Sequence, residues 1–356
     1  ITFVLPKKID LKIDYMNVVF ADIEFPCPDF SVYSLIKHGL LPPELNHDML
    51  DAVLSYARRA AEIAKHYPHD LVHAHDWLCI PAGIAASKSS GKPLVSQIHS
   101  TEYDRSAGLS INSAVFAFEK QGVRKSKSLI AVSQFTANLL KDHYEASPEK
   151  LNVVHNGINP EDFAGVNATD PFLALKQRGY KIVIFVGRIT IQKGPDYFLK
   201  AAQKVLGFHP NTIFVFAGSG DMENQMVELA SSLGISHKVF FAGFLRGQIL
   251  KDAFKSADIF VMPSVSEPFG LVALEAVASG TPAIISKQSG VSESLSHVLK
   301  ADFWDVDEMT DQMVSILRNP ALHKTLSVEG QAESHRNTWS KAATETIKVY
   351  RKTLKK

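Results

Sequence analysis

The chain reads as an α/β protein whose parallel sheets fall into two domains. Three observations lead there. Short apolar, strand-like runs alternate with helix-like runs from end to end, the order produced by parallel strands and crossover helices. The 356 residues suffice for two domains of ordinary size. One stretch without periodicity, Asn156–Gln177, separates the two series and holds Gly157, Pro160, Gly165 and Pro171. No internal repeat is visible.

In the first half, strands are expected near Ile1–Leu5, Met16–Ala21, Asp70–His73, Leu94–His99, Ser128–Val132 and Asn152–Val154. A long helix is expected over Asp48–Tyr67, where Leu50, Val53, Leu54, Ala57, Ala61 and Ala64 form one apolar stripe. In the second half, strands are expected near Lys181–Gly187, Thr212–Ala217, Val239–Ala242, Ile259–Met262 and Ala283–Ser286, with helices between. The last run, Ser340–Leu354, is helical in pattern. Residue 1 is Ile, and Ile1–Pro6 reads as a strand already under way, with no signal peptide ahead of it.

Composition narrows the function classes. The apolar fraction is 46% and the charged fraction 21%, ordinary for a globular protein. A net charge of +1 gives no sign of nucleic-acid binding. Arg351, Lys352, Lys355 and Lys356 complement the dipole of a last helix. No run approaches the roughly 18 apolar residues of a membrane span. Cys27 and Cys79 form no C-x-x-C pair, which fits a reducing cytoplasm. The sequon Asn167-Ala168-Thr169 carries little meaning without a secretory context.

The most informative segment is Ser266-Glu267-Pro268-Phe269-Gly270-Leu271-Val272-Ala273-Leu274-Glu275. It follows the strand-like run Asp258–Pro263 and enters a helix that stops at Gly280. Glu267 thus lies on the loop after a strand, where open α/β sheets bind ligands. Phe269 to Leu271 open the helix, and its free N–H groups and positive dipole end suit an anion. Glu275 lies about one and a half turns inside, at 3.6 residues per turn. Two acceptor-only carboxylates beside that helix start suit hydroxyl groups flanking a phosphate. A solvated helix face is the ordinary place for a Glu. Glu275, however, stands among Val272, Ala273, Leu274, Ala276, Val277 and Ala278, where a carboxylate is costly unless it has a partner or ligand.

A second motif precedes it. Val183–Val186 is a buried strand pattern ending in Gly187-Arg188, and Lys193-Gly194 follows. Arg is a fork for phosphate oxygens and Lys a mobile point charge. Strand, Gly-Arg, short loop, Lys-Gly and then Glu-x7-Glu resembles the retaining glycosyltransferases of the GT-B fold, in the glycogen-synthase-like group 1 and family 4 enzymes. The resemblance runs from the first residues to the C-terminal helix. It implies two Rossmann-like domains facing a cleft: an acceptor-side domain at 1–158, a nucleotide-sugar domain at 159–338, and a helix at 339–356 that crosses back to the first domain. Arg188 and Lys193 would hold the donor diphosphate, Glu267 the transferred sugar and Glu275 the ribose. Gly187, Phe269, Gly270 and Leu271 would lie at the same donor site. Family members usually carry a further strand, a Gly-Gly loop and a helix before a strand like Ile1–Leu5. The N-terminal domain is therefore expected to lack its first βα unit.

On the N-terminal side, Val72–Trp77 and Gln97–Glu102 each end a strand with polar groups. His73 and His75 share a strand face, which is also the geometry of a metal pair. A metal would need further ligands, and a His packed beneath a loop is the alternative. The resemblance places Asp76 at the acceptor and sugar end and brings His99 to the transferred sugar. Glu102 and Arg105 are weaker acceptor candidates. Ser133 and Asn156-Gly157 also face the cleft in such enzymes, though either fits a helix cap or a turn.

Gly218-Ser219-Gly220-Asp221 follows a strand, but Glu223 stands where a dinucleotide fingerprint needs its third glycine. The resemblance puts Gly218 near the nucleotide and Leu245, in Gly243–Arg246, near the base. Asp305-Val306-Asp307 imitates a metal-binding Asp-x-Asp but precedes a helix, so a cap is the better reading. The family generally needs no metal, and no cofactor is expected. The resemblance implies sugar transfer from UDP- or ADP-glucose to a carbohydrate or glucan acceptor. The rivals are a nucleotide-sugar epimerase, a phosphorylase, for which no Schiff-base lysine is evident, and a sugar-nucleotide-binding protein without turnover.

Overall fold

The computed structural model describes residues 1–10, 13–23, 43–164 and 170–355. Cys27, the sequon Asn167–Thr169, Gly165 of the expected linker and the terminal Lys356 lie outside them. The chain divides into two compact units. The first comprises Ile1–Tyr103, Gly108–Val154 and Thr344–Lys356; the second comprises Asp104–Ala107 and His155–Ala343.

In the first unit, β1 (Thr2–Leu5) and β2 (Asn17–Phe20) form a parallel pair. A separate parallel sheet holds β3 (Val72–His75), β4 (Leu94–Ile98), β5 (Ser128–Ala131) and β6 (Leu151–Val153) in chain order. β4 and β5 are buried at every residue, as befits strands covered on both faces. One core cluster joins Ile80, Ile98, Leu129, Leu140 and Tyr144. Another joins Ala21, Tyr56, Ala57, Ala60 and Ala82. It is tied to β1 by the Tyr56 hydroxyl, which donates to the Val4 carbonyl at 2.9 Å.

The expected strand Asp70–His73 is shifted. It runs from Val72 to His75, because His75 pairs in register with Gln97 and the next helix opens only at Asp76. The long helix spans Pro43–His66, earlier than its apolar stripe shows, since Pro is well accommodated in a first turn.

The second unit is a six-stranded, all-parallel sheet in the order β12-β11-β10-β7-β8-β9. Its strands are β7 (Lys181–Val186), β8 (Thr212–Ala217), β9 (Val239–Gly243), β10 (Ile259–Met262), β11 (Ala283–Ser286) and β12 (Leu299–Ala301). The chain starts in the middle, adds β8 and β9 on one side, then returns to build outward from β10. The strand order therefore reverses between β7 and β10, and a crevice opens at the carboxyl ends of strands where that happens. The core is aromatic: Phe185, Phe198, Phe214 and Phe216 are fully buried, with ring centroids 5.0–5.8 Å apart for five of their pairs with one another and with Phe241.

Three features escaped the sequence pattern. β12 has only three residues with a Lys in the middle, so it shows no strand period. Helices Glu161–Ala164 and Leu173–Gln177 occupy the stretch expected to be irregular, each too short to show a helical period. The helix after β10 spans Leu271–Ala278, which leaves Phe269 and Gly270 on the loop and Glu275 about one turn inside.

Candidate functional site

In the second unit, the two motifs meet at the reversal of strand order. β7 ends at Val186, and the chain turns through Gly187 and Arg188 into a single 3₁₀ turn, Ile191–Lys193. β10 ends at Met262 and leads into Ser264–Gly270. Gln192 joins the two loops. Its carbonyl accepts from Val265 N–H at 2.9 Å, and its amide donates to the Ser266 carbonyl at 3.0 Å. Its amide oxygen accepts from Arg188 Nη2 at 3.1 Å. Gln192 is 2% exposed, so it forms a buried brace that aims the guanidinium. Beside it, Lys193 Nζ lies 2.6 Å from Glu267 Oε2, which also accepts from the Ser264 hydroxyl at 3.1 Å. Both side chains of this ion pair are mostly buried, at 15% and 8% exposure.

The loop carrying Glu267 is held on its other side. Its N–H donates to the Gln288 carbonyl at 3.0 Å, and its carbonyl accepts from Gly290 N–H at 2.9 Å. The Ser266 hydroxyl donates to the carboxylate of buried Asp104 at 2.6 Å. Gly270, at φ +110°, precedes the helix Leu271–Ala278, and among the described residues no side chain caps that helix start. The left-handed backbone there needs a glycine, and an uncapped helix start keeps its N–H groups available to an anion. Phe269 is buried behind this turn.

Glu275 lies on the same short helix. Burial pushes its carboxyl up from 4.5 to about 7, with Lys251 opposing the shift. It makes no side-chain hydrogen bond among the described residues, so the cost of its burial is offset there only in part, by the charge of Lys251. Gly218, at the end of β8, packs directly on the turn after β7. A Cβ added to Gly218 would lie 1.8 Å from the Gly187 carbonyl oxygen. Two glycine turns thus nest at the strand ends. Leu245, half-buried, follows β9 at the edge of the sheet. Asn156 is buried, and Gly157 runs against the Thr338 backbone where Ile158 bridges to it. Asp305 accepts from Glu308 N–H at 2.9 Å as a helix cap, and Asp307 pairs with Lys204.

In the first unit, Asp76 and His99 come together at the ends of β3 and β4. Asp76 Oδ1 accepts from the backbone N–H of His99 at 2.7 Å and from that of Ser100 at 3.4 Å. Asp76 itself sits at φ +57°, a left-handed conformation that Asp tolerates and that tends to accompany functional loops. His75 Nδ1 is 3.0 Å from His99 Nε2, with the two rings stacked at 5.3 Å. His73 faces His75 at 4.3 Å, and its Nδ1 is 2.6 Å from the Tyr350 hydroxyl. His73 and His75, which share a strand face, are thus held in a stack of rings, and no group of three or more His, Cys, Asp or Glu placed to hold a metal ion occurs among the described residues. Burial lowers the pKa of His73 from 6.5 to about 3, with His75 and His99 adding to the effect. Burial lowers that of His99 as well. Burial likewise lowers the pKa of His75 from 6.5 to about 4, with His99 adding to the effect.

Glu102 accepts from the Asn112 N–H at 3.1 Å, while its own N–H donates to buried Glu119. Arg105 ends the short helix Glu102–Arg105. Ser133 is a helix cap: its hydroxyl accepts from Thr136 N–H at 2.9 Å. Sequence reasoning missed Gln192, Ser264, Asp104 and Tyr350. The signal for Gln192 was its place directly before Lys193, and that for Ser264 its place three residues before Glu267; Asp104 and Tyr350 carried none, because their partners are distant in sequence.

The chain matches the family model described as glycosyl transferases group 1 over residues 168–333, and that described as glycosyltransferase family 4 over residues 20–162. It is 34% identical over 295 residues to an uncharacterized glycosyltransferase of Methanocaldococcus jannaschii, covering 80% of this chain and 75% of the relative. It is 31% identical over 317 residues to the glycogen synthase of Mycobacterium tuberculosis, covering 86% and 74%. Among solved structures, the sucrose-phosphate synthase of Thermosynechococcus elongatus superposes with a TM-score of 0.76 at 22% identity, over 88% of this chain and 80% of that one. Anabaena HepE, in complex with UDP and glucose, superposes with a TM-score of 0.71 at 19% identity, over 95% and 85%. Both likenesses are to the two-domain, Rossmann-like GT-B architecture. The protein belongs to the group 1 glycosyltransferases.

Proposed function

We propose that the protein is a retaining hexosyltransferase that moves glucose from UDP- or ADP-glucose to a carbohydrate acceptor, in the manner of a glycogen synthase. One observation carries this reading. Arg188, Lys193, Glu267 and Glu275 gather around an uncapped helix start at the reversal of strand order in one sheet. That arrangement offers two cations and open N–H groups to a diphosphate, and a carboxylate on either side to hydroxyl groups. The bound UDP and glucose of Anabaena HepE and the glycogen synthase relative support the choice of donor.

Breaking the anomeric C–O bond leaves negative charge on the departing diphosphate. Arg188, aimed by Gln192, and Lys193 stabilise that charge as it grows. Lys193 is paired with Glu267 before donor binds. Donor entry exchanges that carboxylate for phosphate, and Glu267 turns its oxygens to the hexose. Glu275 accepts from the ribose hydroxyls, which supply the hydrogen bonds it lacks among the described residues. Attack on the same face as departure, with the leaving phosphate taking the acceptor's proton, requires no protein general base. The cations and the helix start take the role a metal has in other transferases, so no metal or cofactor is required. Asp76 and His99 serve the sugar and the acceptor, and the reaction belongs to the cytoplasm.

A thermal-shift panel with UDP, ADP, GDP and their glucose conjugates, followed by transfer of labelled glucose to a glucan, tests the reading. Stabilisation by UDP or ADP with label recovered in the glucan is the expected result. Stabilisation without any transfer would reduce the protein to a binder, and no stabilisation by any of the six would remove the donor assignment.

A further inference from the structure

We propose that Tyr350, on the C-terminal helix Trp339–Lys355, is a positioning residue for sugar transfer: its hydroxyl orients His73, and His73 in turn orients the His75–His99 pair. This rests on the reading of His99 as a sugar-side residue.

The arrangement is a continuous relay within the first unit. The Tyr350 hydroxyl lies 2.6 Å from His73 Nδ1, with the two rings edge to face at 5.5 Å. His73 lies against His75 at 4.3 Å, and His75 Nδ1 reaches His99 Nε2 at 3.0 Å. Among the described residues the orientation of His73 hangs on one hydrogen bond, because its other nitrogen, Nε2, is buried without a partner there. Whichever nitrogen carries the proton, loss of the Tyr350 hydroxyl leaves a buried imidazole with two unpartnered nitrogens. Such a ring turns toward the nearest polar group. The ring packed against it is His75, whose Nδ1 is already engaged with His99, so the disturbance reaches His99. Burial keeps the phenol protonated and His73 neutral, so the relay carries orientation rather than charge.

The hydroxyl is not what docks the helix. One turn further on, Thr353 is fully buried and its hydroxyl donates to Ser128 at 2.8 Å. Lys352 donates to Asn152 at 2.9 Å, and Val349 is buried on the same helix. Removing one oxygen from Tyr350 therefore leaves the helix in place.

The test is Tyr350→Phe in the whole chain, read by two-bond ¹⁵N–¹H correlation of the imidazoles and by transfer kinetics. Signals of His75 and His99 should move together with those of His73. kcat should fall roughly three- to tenfold, the scale of one buried hydrogen bond, with nucleotide affinity unchanged. Val349→Ala is the control for loosened docking: it should lower the melting temperature and leave the imidazole signals alone. If Tyr350→Phe moves only His73, or if Val349→Ala moves the same signals, the relay is overturned. Coupled signals with unchanged turnover would leave the relay standing and remove His99 from sugar transfer.

Discussion

In the second unit the candidate side chains are charged and held in pairs or braces. Lys193 pairs with Glu267, and Arg188 is braced by a buried amide. In the first unit they are neutral aromatic rings held in a stack, His73 on His75 on His99, with one carboxylate, Asp76, fastened to backbone N–H groups. The cores differ in the same sense. The second unit packs four phenylalanines under one six-stranded sheet, while the first divides its core among smaller clusters under two separate sheets. The difference teaches what each region is suited to receive. A paired cation can exchange its partner for a phosphate, and a neutral imidazole can orient a hydroxyl without attracting an anion.

The largest effect should come from the charged region. Arg188→Ala and Lys193→Ala should each lower kcat/KM for the nucleotide sugar by about 10²–10³-fold, the usual loss for one group that stabilises growing charge. Wild-type kinetics in either variant would place the diphosphate elsewhere. Lys193→Ala should also lower stability by about 3 kcal/mol, because it leaves Glu267 buried without its cation. The double variant Lys193→Ala with Glu267→Ala should regain much of that loss in a urea titration. An additive loss would mean that the pair contributes nothing as a pair.

Next in size is the division between the two glutamates. Glu275→Gln should weaken binding of the bare nucleotide by about 1.5–3 kcal/mol, the worth of hydrogen bonds to a charged group. Glu267→Gln should spare that binding and impair transfer. Calorimetric titration with UDP or ADP decides it, and equal losses in both variants would contradict the division. The same measurement against pH should show tighter binding as pH rises through about 7, where burial has moved the Glu275 carboxyl. Without ligand the sign reverses. The native state holds this proton more tightly than the unfolded chain, so the group's contribution to stability is lost as pH rises through the same value.

The neutral region should respond in the opposite direction. His73 is held at about 3 against an ordinary 6.5. Between those values the unfolded chain binds more protons, so stability should fall as pH drops below about 6.5. Replacing His73 with Gln should flatten that slope in thermal melts; an unchanged slope would show that other groups set it. The smallest expected effect is that of chelation. EDTA should leave transfer unaltered, and a complete loss restored by Mn²⁺ or Mg²⁺ would revive Asp305 and Asp307 as metal ligands.

Most of the architecture was legible before any coordinates. Buried parallel strands are short apolar runs, and their helices carry stripes, so β4, β5, β7, β8 and β10 announced themselves. Elements too short to show a period, such as β12 and the helix Glu161–Ala164, did not. At the candidate site the outcome was divided in the same way. Glu275 was conspicuous as a carboxylate in an apolar helix, and Arg188 and Lys193 by their place after a strand.

By itself the sequence determined the alternation of strands and helices, the residues at the strand ends and the types of charge available there, because each is written in neighbours within a few positions. Only the tertiary structure decided which groups those side chains meet. Lys193 finds Glu267 across 74 positions, Ser266 finds Asp104 across 162, and Tyr350 finds His73 across 277. Such pairings leave no periodicity in the chain. They exist because close packing at the strand ends favours folds in which most buried polar groups find a partner, wherever the chain brings one within reach.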